Sequence, residues 1–189
     1  MELLKTIHWE KLAEIKELKN HFSHDFDSFQ NLIVDYITIW SNLDKENLDK
    51  LAILRALEVT NGCTQWAYRR GDKDCLPIEK TRKCMSVSMS SIKNKRIYLK
   101  SETITFPPEI ARLIDEGRSL YIQAFKNNLP EKEREFYALS TAQFLVYGRE
   151  RMNRAFDIIQ ENFGDVFTEF FINKGRRYVQ PYLEAIGEL

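Results

Sequence analysis

Two histidines three residues apart, His21 and His24, stand beside acids in the run His21-Phe22-Ser23-His24-Asp25-Phe26-Asp27. On a helix this spacing puts both imidazoles on one face, and Asp25 or Asp27 would add an oxygen ligand. Nitrogen and oxygen donors with one open position are what a hydrolytic zinc site uses to activate water. The competing reading is a corner between two helices, with Ser23 or Asp25 capping the second one and the imidazoles facing solvent. Polar corners of this kind are common. The corner is favoured, and no metal or other cofactor is expected.

A second constellation is basic: Arg69, Arg70, Lys73, Lys80, Arg82, Lys83, Lys93, Lys95, Arg96 and Lys100, interleaved with Trp66, Tyr68 and Tyr98. Residues 66–100 hold 10 basic and 3 acidic side chains, net +7, between flanks of net −4 (residues 1–65) and −3 (residues 101–189). Arginine forks and lysines gathered on one surface can receive an acidic protein and steer its approach. They can also neutralise phosphates while the aromatic rings stack on bases. The plainest alternative is intramolecular, with the segment pairing against the chain's own acidic flanks or keeping a helix soluble. Arg70-Gly71-Asp72 spells an adhesion tripeptide, which is treated as coincidence.

Two smaller features complete the inventory. Arg149 falls four residues after Leu145 and three before Met152, on what reads as a buried helix face, where it would need a carboxylate such as Asp35 or Glu58. Cys63 falls on an apolar stripe and reads as core. Cys75 and Cys84 have basic neighbours able to lower a thiol pKa, but no histidine is nearby in sequence. The chain has no G-x-x-x-x-G-K-[ST] loop, no G-x-G-x-x-G after a strand, no G-x-S-x-G elbow and no H-E-x-x-H pair. The E-x-x-H motifs of helical di-metal sites are missing as well.

The elements that must position these residues read as helices. Apolar residues recur every three or four positions over Leu4–Phe22, Phe26–Trp40, residues 45–70, Pro77–Ser91, 108–125, 131–159 and 166–171. Asn61-Gly62 predicts a kink or a split in the third of these, and Gly71 a left-handed stop after it. In the fourth, Ile78, Met85, Met89 and Ile92 are expected inward. Pro107-Pro108 opens the fifth, and Gly117 within it permits close packing. Ala138, Ala142, Leu145, Met152, Phe156 and Ile159 form the inward line of the sixth. Gly175 and Pro181 divide a short C-terminal tail. Only residues 96–106, β-branched and aromatic, read as two short strands or an extended loop.

The chain's 189 residues carry 28 basic and 28 acidic groups. This size buries roughly 70% of the unfolded surface, enough for one core, and no linker or repeat is evident. The expectation is a single all-α domain over residues 1–189, a compact bundle of about six to eight helices with a hairpin-like insertion near 96–106. No apolar run approaches the roughly 20 residues of a membrane span. The N-terminal residues are interrupted by charge and do not read as a secretory signal, which with an odd cysteine count points to a reduced, cytoplasmic protein.

The function expected from these features is a non-enzymatic protein-binding module, of the inhibitor or immunity type. Its partner would be a protein with an acidic surface, held by Trp66, Arg69, Arg70, Lys73, Arg82, Lys83, Lys95, Arg96 and Tyr98. RNA or single-stranded DNA binding is one alternative, and a metal-assisted hydrolase on His21 and His24 is the other. An exposed Phe167–Phe171 face would allow a symmetric homodimer.

Overall fold

The computed structural model describes residues 2–22, 24–71 and 78–187. Among them the chain is all-α, with nine α-helices, one π-helical turn and a two-stranded hairpin. No helix of the described residues is long and apolar enough to cross a membrane. The chain divides into two compact units, each assembled from separated segments. The first comprises Met1–Asp44, Pro108–Gly148 and Val179–Leu189; the second comprises Lys45–Pro107 and Arg149–Tyr178.

The first unit begins with three short helices, α1 (Glu2–Thr6), α2 (Trp9–Ala13) and α3 (Lys16–Phe22), where the apolar periodicity predicts one. The break at Ile7 has a clear cause. Ile7 pairs with Ile186 in an isolated antiparallel bridge, and the His8 amide donates to the Ala185 carbonyl at 2.8 Å. Backbone groups used across the chain cannot also complete a helical ladder. Helix α4 (Phe26–Trp40) follows, and Asp25 caps it, accepting from the Ser28 amide at 3.0 Å. Phe29, Ile33, Ile37 and Trp40 are all buried, as their spacing predicts.

Helix α7 (Pro108–Tyr121) runs into a π-helical turn, Ile122–Lys126. Ile110, Ile114 and Ala124 are buried along this stretch, whereas Tyr121 is exposed. Tyr121, Phe125, Phe136 and Tyr137 then pack ring against ring, Tyr121 to Phe125 at 5.0 Å and Phe125 to Phe136 edge-on at 5.4 Å.

Helix α8 (Pro130–Phe163) carries the expected inward line, and every member of it is buried. It is interrupted at Gly148, where φ is 75° and ψ 171°. Only glycine reaches that backbone region without strain. The interruption resets the helical phase, which corrects the reading of Arg149: it lies on the exposed surface. Arg151 takes the half-buried position instead, and its Nε donates to Asp49 at 2.7 Å. Glu58 pairs with Arg55 at 3.3 Å.

The second unit is built on α5 (Lys45–Arg69), α6 (Ile78–Asn94), the hairpin β1 (Arg96–Tyr98) and β2 (Thr103–Thr105), the later half of α8 and most of α9 (Glu169–Glu184). Asn61-Gly62 neither kinks nor splits α5, which runs unbroken for 25 residues. Thr60 and Thr64 on its buried face satisfy their hydroxyls on the carbonyls of Ala56 and Thr60, at 2.8 and 3.0 Å. Gly71 follows α5 with φ 65°, the left-handed stop its position predicts. Helix α9 also continues through Gly175 and Pro181, where a division is expected. Gly175 is a packing residue rather than a breaker, since a Cβ there would lie 3.0 Å from the Phe156 ring and 3.1 Å from the Thr60 hydroxyl. In the hairpin, Arg96 pairs with Thr105, Ile97 with Ile104 and Tyr98 with Thr103. Ile97 and Ile104 point inward, leaving Arg96 and Tyr98 on the outer face.

Candidate functional site

The basic constellation lies wholly in the second unit. Trp66, Arg69 and Arg70 are exposed at the end of α5, Arg82 and Lys83 on the first turns of α6, and Arg96 and Tyr98 on the outer face of β1. Trp66 is 57% exposed and Tyr98 56%. Lys95 is half-buried at the turn after α6, with φ 52°, and its Nζ donates to the Ile92 carbonyl at 2.7 Å. Lys73 lies outside the described residues.

The structure joins Trp66 and Arg70. One helical turn apart, they place the Arg70 guanidinium 4.5 Å above the Trp66 ring. This holds a flat cation on an exposed aromatic face. The nine residues do not form one tight cluster, because Arg82 near the start of α6 and Arg96 beyond its end are separated by about 18 Å of helix at 1.5 Å per residue. Arg82 and Lys83 stand near the start of α6 and Arg96 and Tyr98 beyond its end, two groups with most of the helix between them.

What lies between is the main departure from the sequence reading. Met85 and Met89, expected inward, are 39% and 49% exposed. The buried face of α6 is Thr81, Cys84, Ser88 and Ser91. These residues recur at intervals of three and four, as a helix face must. Small side chains allow α6 to lie close to its neighbours, and two of them have hydrogen-bond partners, one within the helix and one far along the chain. Ser91 Oγ donates to the Val87 carbonyl at 2.9 Å, and Cys84 Sγ to the Val166 carbonyl at 3.2 Å. Burial pushes the Cys84 thiol up to about 11, against the pull of Lys83 and Lys80. Cys84 is therefore a structural thiol, and its basic neighbours do not activate it. Cys63 is half-buried, and Cys75 lies outside the described residues.

Seven of the described charges on this surface lack a carboxylate partner among the described residues. Arg69, Arg70, Lys80, Arg82, Lys83, Lys93 and Arg96 are all exposed, and none pairs with a carboxylate among the described residues. Elsewhere in the same unit arginines do find acids, Arg151 on Asp49 and Arg176 on Asp157, each within 2.7 Å.

No family model, curated protein or solved structure matches the chain. The remaining candidates stand on geometry alone. His21 stacks on Tyr137, ring centroids 4.1 Å apart and 22° from parallel, and Glu133 lies 3.9 Å from its Nε2. Burial holds the imidazole below its usual pKa, against the opposing pull of Glu133 and Glu17. His21 thus packs α3 onto α8, while His24 is exposed beside the Asp25 cap; Ser23 lies outside the described residues. Among the described residues no three His, Cys, Asp or Glu side chains converge as metal ligands would. The proposed phenylalanine face shrinks to one ring. Phe167 and Phe171 are buried, and Phe170 alone is exposed, with Lys174 over it at 5.6 Å. The helix expected over 166–171 begins only at Glu169, so Phe167 packs from the turn before α9, and of the two phenylalanines on α9 Phe171 faces inward and Phe170 outward.

Proposed function

We propose that the chain is a non-enzymatic protein-binding module, of the inhibitor or immunity type, that docks an acidic partner on the basic, aromatic face of its second unit. One observation carries this reading: seven exposed cations in residues 69–96 have no carboxylate partner among the described residues. Unmatched cations accelerate the approach of an acidic surface, and rejection of basic ones gives selectivity. The exposed aromatic side chains, Trp66 and Tyr98, supply the desolvated anchors on which most interface energy concentrates. The arrangement disfavours the intramolecular alternative, in which the chain's own acidic flanks would neutralise this face.

The test is native mass spectrometry of the full chain purified at low salt from the cells that make it. It is run beside a variant in which Arg69, Arg70, Arg82, Lys83 and Arg96 are all replaced by glutamine. A stoichiometric acidic protein on the original chain, lost from the variant, is expected. Retention of the same partner by the variant overturns the mechanism. Nucleic acid in place of protein, with affinity falling steeply as salt rises, overturns the partner class.

A further inference from the structure

Helix α6 is amphipathic in an inverted sense, its small polar side chains buried and its methionines in solvent. Met85 and Met89 are four residues apart, Arg82 stands three before the first and Lys93 four after the second. That spacing puts all four on one helical face, and all four are exposed. The result is a line with an apolar centre and a cation at each end. Its ends are eleven residues apart, or roughly 16 Å along the axis. Only Glu79 opposes the four cations of α6.

Such a line has a natural complement. Helices that dock lengthwise present apolar anchors at i, i+3 or i+4 and i+7, a row of roughly 10 Å that fits between the two terminal cations. Methionine is unbranched and polarisable, and so accommodates apolar side chains of several shapes. Carboxylates at either end of the ridge would meet Arg82 and Lys93 as charge-assisted hydrogen bonds. We propose that the Arg82–Met85–Met89–Lys93 face is the seat of an acidic amphipathic helix belonging to the partner protein. The inference rests on the protein-binding reading above and narrows it from an acidic surface to an element of defined shape and length. It also explains why the basic residues stand in two groups with most of α6 between them, since a helix laid along α6 reaches towards both.

The test uses the full chain, made in its own cells with a diazirine analogue of methionine at position 85 or 89. Control chains carry a diazirine side chain at position 66 or 98. Crosslinks from 85 and 89 are expected on a single segment of one partner, with apolar residues at helical spacing and acids flanking them. Arg82→Gln combined with Lys93→Gln should then lower the crosslink yield about tenfold, with thermal unfolding of the chain unchanged. Crosslinks from 66 or 98 alone overturn this seat and leave the protein-binding reading standing. Crosslinks from 85 and 89 to lipid, to nucleic acid or to a second copy of the chain overturn it as well. No crosslink to a protein from any of the four positions overturns both readings.

Discussion

Helices α4 and α6 have comparable apolar periodicity in the sequence and opposite relations to solvent in the structure. In α4 the large residues Phe29, Ile33, Ile37 and Trp40 face inward, and Phe29 and Ile37 are entirely buried. In α6 the inward face is Thr81, Cys84, Ser88 and Ser91, while Met85 and Met89 face water. A helix has two candidate inward faces whenever it carries both a large apolar line and a small-residue line at helical spacing. Which one turns inward depends on the room its neighbours leave. In α6 the small line Thr81, Cys84, Ser88 and Ser91 is the buried one, and Cys84 reaches the Val166 carbonyl from it.

Substitutions test which face of each helix is packed, beginning with the largest effect. Phe29→Ala in α4 removes a fully buried ring and should cost about 3–5 kcal/mol of unfolding free energy in urea titrations. A loss below about 1 kcal/mol would mean that the inward face of α4 is not packed as its burial implies. Ser88→Leu in α6 forces extra methylenes into a close interface and should destabilise by about 1–3 kcal/mol. If the sequence reading of α6 were right, the same change would lie on the outer face and leave the midpoint where it was. Asp25→Ala removes the cap that accepts from the Ser28 amide and should cost about 1 kcal/mol, read as a lower thermal midpoint. Smallest of all, Met85→Gln with Met89→Gln should change stability by no more than about 0.5 kcal/mol each, because both side chains already meet water. A double variant that unfolds early would return the methionines to the core.

Much of the fold was legible because large apolar residues at strict spacing leave little choice. The buried line from Ala138 to Ile159 in α8, the Asp25 cap, the Gly71 stop and the strand pair at 96–105 all follow from local chemistry. What was not legible depended on distant partners. The break between α1 and α2 comes from a bridge of Ile7 to Ile186, which no local pattern announces. The exposure of Arg149 follows from a backbone reset at Gly148, where the spacing rule was carried across a residue that does not keep helical geometry. Glycines at 62 and 175 were read as breakers, yet α5 and α9 run through them.

The candidate site was legible in its charges and rings and not in its centre. Arg69, Arg70, Arg82, Lys83, Arg96, Trp66 and Tyr98 are exposed, as a docking surface needs them to be. The methionines between the two groups were assigned inward because hydrophobicity alone ranks them above threonine and serine. A signal was present: Thr81, Cys84, Ser88 and Ser91 keep helical spacing as faithfully as the apolar set does.

The outward turn of α6 is the premise on which the docking face depends, and one spectrum addresses it. The chain is labelled with 13C at its methionine methyls and titrated with a soluble paramagnetic relaxation agent. Met152, which is fully buried, serves as the internal reference. The Met85 and Met89 methyl signals should broaden early in the titration while that of Met152 stays sharp. Protection of Met85 and Met89 equal to that of Met152 would contradict the outward turn of α6, and the helical seat would go with it.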